Sequence, residues 1–369
     1  MLNKDNNLKK YVCVNPFRYM DIQDLDRIHM CCPSWLPTDI SEGGKYSVTD
    51  AWRSETAEKI RSSVLDGSYK YCNHKVCPSL NALANGVILD NSPLVPRDEF
   101  VVPENPMPEE ILYGQDRSCN LKCPSCRKNI IPNDPKDSVK HLQKQKMQDE
   151  IETSFGSNIK KVMLTGSGDP IYSKLYREFL QNFKRENYPS LETIHLITNG
   201  VLLDEKMWNS FKCKEFIHVI DISYDAGTQH TYEKVSRLGG DWNKLVNNTK
   251  FLTTIDDDVE RAIIISFVVT QYNYQEMFTL YELINNISLA STWKGRIFIN
   301  FRQIVYWQTG AYTIDQIKDI SVFDPGHPEF DKFLDELKKI NQLPGPEDIR
   351  GPRDVGVTHN FHHLLETHK

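Results

Sequence analysis

Three cysteines fall within eight positions of "SCNLKCPSCR", residues 118–127: Cys119, Cys123 and Cys126. Structural zinc takes four protein ligands, commonly from two C-x2-C pairs. Here a single pair has that spacing, and a fourth zinc ligand would have to come from His141, on the helical stretch that follows. A 4Fe–4S cluster fits three thiolates better. Its irons are held by cysteine sulfurs, and three ligands leave one iron open to an outside molecule. The other six cysteines are Cys13, Cys31, Cys32, Cys72 and Cys77 in the first eighty residues, and Cys213 by itself. In a reducing compartment such clustering favours metal or redox duty over disulfides.

The composition sets the frame for this chemistry. The chain has 369 residues, long enough for two domains or one barrel-sized domain with additions. Hydrophobic residues make up 39% and charged residues 25%, the balance of a globular protein. A net charge of −6 argues against a nucleic-acid-coating protein. The N-terminus "MLNKDNNLKKYVCVNP" lacks the apolar run of a signal peptide, and "AIIISFVV" is too short to cross a bilayer. A cytoplasmic location without membrane attachment is the expectation.

The elements that must position the triplet can be read from periodicity. Prolines crowd residues 89–110, which read as a linker. After it, strand patterns at "EILY", "KKVMLTG", "TIHLITNG", "FIHVIDISYD", "RAIIISFVVT" and "GRIFINFRQI" alternate with helical stretches. Six alternations predict an α/β fold with a parallel sheet: a partial (β/α)6 TIM-like barrel, with an open doubly wound sheet as the competitor. Chemistry collects at the C-terminal strand ends in both, and the triplet follows the first strand. The expected division is a small α+β domain with linker over 1–105, the barrel over 106–310, and an extension over 311–369. That extension carries one helix with a stripe of Phe330, Phe333, Leu334 and Leu337, and a loop-like end.

C-x3-C-x2-C after the first strand of such a barrel resembles the signature of radical S-adenosylmethionine (SAM) enzymes. The resemblance implies that SAM binds the open iron and is cleaved by one electron. The resulting 5′-deoxyadenosyl radical then takes hydrogen from a substrate, with a flavodoxin- or ferredoxin-type protein as electron donor. "LTGSGDP" resembles the family's glycine-rich segment for the SAM amino group, through Gly166, Ser167, Gly168 and Asp169. "TNG" brings Asn199, and "ISYDAGTQHTYEKVSR" resembles the segment that carries ribose contacts, at Ser223 and Asp225. Arg237 matches an arginine that pairs with the SAM carboxylate. Ser125 departs from the pattern, where an aromatic residue often shields the cluster, so adenine packing is expected from elsewhere.

The N-terminal cysteines fit a second, fully ligated cluster. An amphipathic helix carries Ala57, Ile60, Val64 and Leu65 on one face and ends at Gly67, just before Cys72 and Cys77. The preceding segment reads as a hairpin with Cys13 on one arm and Cys31 on the other. This region resembles SPASM/twitch auxiliary-cluster modules, here placed before the barrel. The resemblance assigns Cys13, Cys31, Cys72 and Cys77 as ligands of an auxiliary 4Fe–4S cluster, with Cys32 as the alternative to Cys31. A four-cysteine zinc knuckle is the competing reading.

A filled auxiliary cluster suits a net oxidation, dehydrogenation or bond formation, because it can accept an electron from the substrate radical. Epimerisation would instead need a hydrogen-donating thiol, for which Cys32 and Cys213 are the candidates. Substrate contacts are expected from Gln271, Asn273, Arg302, Gln303, Tyr306 and Trp307 at the ends of the later strands. They suit a small polar metabolite; a peptide substrate and a non-enzymatic zinc or iron–sulfur interaction protein are the alternatives.

Overall fold

The structure, a computed structural model, describes residues 7–90, 92–165, 167–306, 310–349 and 353–367. The chain divides into two compact units that interleave in sequence. The first comprises Met1–Arg117, Asp134–Ser167 and Lys184–Thr193; the second comprises Ser118–Asn133, Gly168–Phe183 and Ile194–Lys369.

The first unit contains β1 (Tyr11–Cys13), β2 (Tyr19–Asp24), β3 (Arg27–His29), β4 (Leu94–Pro96), β5 (Glu110–Tyr113) and β6 (Lys161–Leu164). Its main sheet runs β6-β5-β2-β3, with β6, β5 and β2 parallel and β3 antiparallel. The expected hairpin exists, but as β2 and β3. Cys13 lies outside it, on β1, which pairs antiparallel with β4. The proline-rich stretch read as a linker therefore supplies a strand. Among the described residues β4 pairs with β1 alone, so Pro96 lies on an edge strand, which tolerates a missing N–H.

The helix Glu55–Leu65 forms where the spacing predicts it. Ser54 accepts a hydrogen bond from the Ala57 N–H at 3.2 Å, Glu55 and Glu58 sit in the first turn, and Gly67 follows at φ +78°. Ala57, Ile60 and Val64 are buried. Val64 packs in a core with Val12, Phe17, Tyr69, Leu80 and Leu94, against which Cys13, Cys72 and Cys77 lie.

The second unit contains β7 (Thr193–Thr198) from Ile194 onward, β8 (Ile217–Ser223), β9 (Ala262–Val269), β10 (Arg296–Gln303) and β11 (Val355–His359). They run in that spatial order, all parallel. The continuous apolar run of β9 is what a strand covered on both faces requires. The helix Phe330–Ile340 buries Phe330, Phe333, Leu334 and Leu337 as its stripe predicts. The end of the extension is not loop-like, however: Val355–His359 forms β11 along β10. Five residues interrupted by Gly356 give too weak a pattern to read locally. The chain is thus α/β with mostly parallel strands, and no described helix is long and apolar enough to cross a membrane.

Candidate cluster sites

The triplet lies on a segment of the second unit pinned at several points. The Cys119 N–H bonds the Ile131 carbonyl at 2.9 Å, and Cys126 and Arg127 both turn back onto the Cys123 carbonyl at 2.9 Å. Asn133 braces the end of the segment, donating to the Tyr172 carbonyl at 3.0 Å and accepting from the Lys174 N–H at 2.7 Å. Cys119, Leu121 and Cys123 are buried together, with Cys126 packed against them. Residues 238 and 239 come up to the same loop. Lys122 N–H bonds the Leu238 carbonyl at 3.0 Å, and Gly239, at φ +89°, lies against the Asn120 carbonyl.

Each of the three sulfurs has its own donor. Leu121 N–H reaches Cys119 Sγ at 3.5 Å, Arg237 Nη1 reaches Cys123 Sγ at 3.5 Å, and Arg127 Nη2 reaches Cys126 Sγ at 3.2 Å. Burial pushes the Cys119 thiol up to about 12, and Asp169 adds to the rise. Burial likewise raises the Cys123 thiol, against the pull of Arg237. Thiols of this kind are inert until something takes their protons, which metal binding does. Three sulfurs, two guanidiniums and a peptide N–H fit an anionic iron–sulfur cluster in donor set and in charge.

The acids around the loop are already engaged. Asp169 is 1% exposed, and its carboxylate accepts from Ile171 and Tyr172 N–H at 3.0 and 2.9 Å. Its other oxygen accepts from Thr198 Oγ1 and Asn199 N–H, both at 2.8 Å. Four donors fill a carboxylate, so Asp169 ties the turn after β6 to the end of β7. Asn199 donates to Asn120 at 2.9 Å and lies 3.9 Å from Cys119 Sγ. Arg237 pairs with Asp225 at 2.6 Å, both largely buried. Burial opposes the charge on Arg237, yet Asp225 and Cys123 outweigh it and hold its pKa above the ordinary value. Asp225 sits at φ +54° and also accepts from Val268 N–H at 2.8 Å. Ser223, at the end of β8, pairs in register with Ser266. Ser167 donates to the Gly114 carbonyl at 3.0 Å, Gly168 is half-buried, and Gly166 lies outside the described residues.

Beside the loop is a small cavity lined by Pro124, Ser125, Asp225, Ser236, Thr270, Asn273, Tyr272 and Tyr312, among others. Ala311 N–H bonds the Pro124 carbonyl at 2.9 Å, so the residues around Tyr312 are fastened to the cysteine loop. Two tyrosines thus stand near Ser125, where the sequence lacks an aromatic. Nothing in their local pattern announced them.

The N-terminal cysteines converge within the first unit. Cys13, Cys31, Cys72 and Cys77 all line one cavity, with Asn15, Trp35, Tyr69 and Leu80 among its other walls. Cys32 does not line it. The carbonyl of Cys32 instead starts a turn that receives Trp35 and Leu36 N–H. Asn15 Nδ2 donates to Cys31 Sγ at 3.4 Å. Burial pushes the Cys13 and Cys72 thiols up to about 12 and raises those of Cys31 and Cys77. Among the described residues no three Cys, His, Asp or Glu side chains gather closely enough to share one metal ion. Cluster thiolates bind separate irons and have no need to share one.

Other sequence candidates fall elsewhere. Cys213 is fully buried and its thiol donates to the Leu180 carbonyl at 3.6 Å, a packing position. Asn273 spends its amide on Thr270, Asp225 and Val268 backbone groups, so it positions Asp225. Gln271 Oε1 lies 3.0 Å from His327 Nε2, and Gln303 is bonded to Asn360. Arg302 reaches Asp221 at 3.3 Å, Tyr306 is exposed, and Trp307 lies outside the described residues. His141 is buried on the helix Val139–Phe155 of the first unit. The sequence reading also missed Lys144 on that helix, which pairs with Asp116 at 2.8 Å and Asp134 at 2.6 Å. Those two acids flank the cysteine segment in sequence. Comparison with known protein families and with curated proteins returned no match.

Proposed function

We propose that the chain is a radical SAM enzyme with an N-terminal auxiliary cluster. The observation that carries this reading is the trio of cysteine sulfurs on one braced loop, each supplied with a hydrogen-bond donor. Cys119, Cys123 and Cys126 would hold a 4Fe–4S cluster with one iron open. When bound, that cluster supplies an electron that splits SAM and so gives the 5′-deoxyadenosyl radical.

The chain's own residues bind and orient. The triplet, Asp169, Asn199, Asp225 and Thr270–Asn273 follow successive strands β5 to β9, and Arg302 lies at the end of β10. A partial (β/α)6 barrel collects its chemistry on that rim. Tyr272 and Tyr312 offer stacking faces beside Ser125. Asp225, paired with Arg237, lines the same cavity, and Arg302 with Asp221 gives a polar site at the end of β10. These groups suit a small polar metabolite. Cys13, Cys31, Cys72 and Cys77 would hold the second cluster, whose electron-accepting capacity favours a net oxidation. A flavodoxin- or ferredoxin-type donor completes the scheme.

The experiment is anaerobic purification followed by reduction in the presence of SAM. Brown protein with roughly eight irons per chain is expected, and 5′-deoxyadenosine should form and vanish in Cys126→Ala. A colourless zinc-loaded chain that forms none, even with a strong reductant, would replace the enzyme with a metal-binding module.

A further inference from the structure

Arg127 follows the last cysteine of the triplet and is 5% exposed. Its Nη2 lies 3.2 Å from Cys126 Sγ, the shortest of the three donor contacts to the triplet sulfurs described above. Arg237, the other guanidinium at the triplet, pairs with the Asp225 carboxylate at 2.6 Å. The planar fork of an arginine fixes direction as well as charge. Hydrogen bonds to cluster sulfurs and local net charge set how readily a cluster is reduced, and partners behind a ligand fix its orientation.

We propose that Arg127 is a positioning residue of the triplet site, holding the Cys126 sulfur in its ligating orientation and making the bound cluster easier to reduce. This rests on the cluster reading above. The effect requires no new bond, only a donor and a positive charge directed at one sulfur.

The test uses the full chain, reconstituted anaerobically with iron and sulfide, in the wild type, Arg127→Gln, Arg127→Lys and Cys126→Ala. Iron retention against a chelator is measured, together with an electron paramagnetic resonance titration of the signal that Cys126→Ala removes. Arg127→Gln, with native circular dichroism, should lose iron from that site roughly tenfold more readily and titrate at a more negative midpoint. Arg127→Lys keeps the charge and loses the fork, so its midpoint should lie nearer the wild type while retention stays weakened. Wild-type retention and midpoint in Arg127→Gln would overturn the proposal. If Arg127→Gln does not fold, Arg127→Lys decides: weakened retention supports the role, and wild-type retention removes it. Should the wild type and Cys126→Ala carry the same iron and the same signal, the cluster reading itself fails, and the role of Arg127 with it.

Discussion

Asp225 and Arg237 share one buried pair, and the worth of that pair depends on both being present. Removing one partner leaves the other as an uncompensated buried charge, which costs about 3–5 kcal/mol. Arg237→Ala should therefore lower the urea midpoint markedly, while Arg237→Ala combined with Asp225→Ala should recover part of the loss. Asp21 makes the opposite case. It is 3% exposed on β2, accepts from Gln23 and Tyr19, and burial pushes its carboxyl up to about 7. A carboxyl raised in the folded state favours folding while protonated. Stability should then fall as pH rises from the ordinary carboxylate range, about 4, to about 7, and level off above it. Asp21→Asn should flatten that slope in thermal melts between pH 5 and pH 8, with a gain on the order of a few kcal/mol at the upper end. An unchanged slope would mean that another group carries the titration.

Among the elements, the helix Val139–Phe155 stands out for a buried cation. Lys144 reaches Asp116 and Asp134, at either end of the cysteine segment, from within the first unit. Tying the two ends of a loop removes conformational entropy that the loop would otherwise retain. Lys144→Met should destabilise by about 3–5 kcal/mol in a denaturant titration, because two acids lose their counter-charge. A loss below about 1 kcal/mol, the range of an exposed pair, would deny Lys144 that part. The turn Tyr232–Ser236 is a π-helical one, and it ends at Arg237. Such turns are rare and concentrate at functional sites. Gly240 is needed next to it, since a Cβ there would stand 2.5 Å from the Tyr232 ring. Most elements were legible from periodicity, β9 and the helix Phe330–Ile340 above all. Strand β11 and the β1–β4 pair were not, because three to five residues carry too little pattern and gain their strand character from a partner.

For the whole molecule, two cysteine sets lie in two different units. On the proposed reading, each set holds a cluster on its own account. Iron per chain is expected to fall by about half in Cys72→Ala/Cys77→Ala and by about half in Cys123→Ala/Cys126→Ala, measured by iron assay after identical reconstitution. Loss of all iron in either variant would mean that one site depends on the other. If the proposed function holds, the Cys72→Ala/Cys77→Ala variant should also still cleave SAM while failing to turn over substrate.

The sequence by itself determined the cysteine triplet, the glycine- and acid-bearing turns after the strands, and the alternating α/β order, because each is written in a few adjacent residues. Only the tertiary structure decided that Cys31 and not Cys32 faces the N-terminal cavity, since that depends on where a turn begins. It also decided that Asp169 and Arg237 are already bonded, and that two tyrosines distant in sequence from Ser125 stand beside it. Spacing along a chain fixes which residues can share a loop. Which partner fills a hydrogen bond or a charge is settled by packing between segments that the sequence keeps far apart.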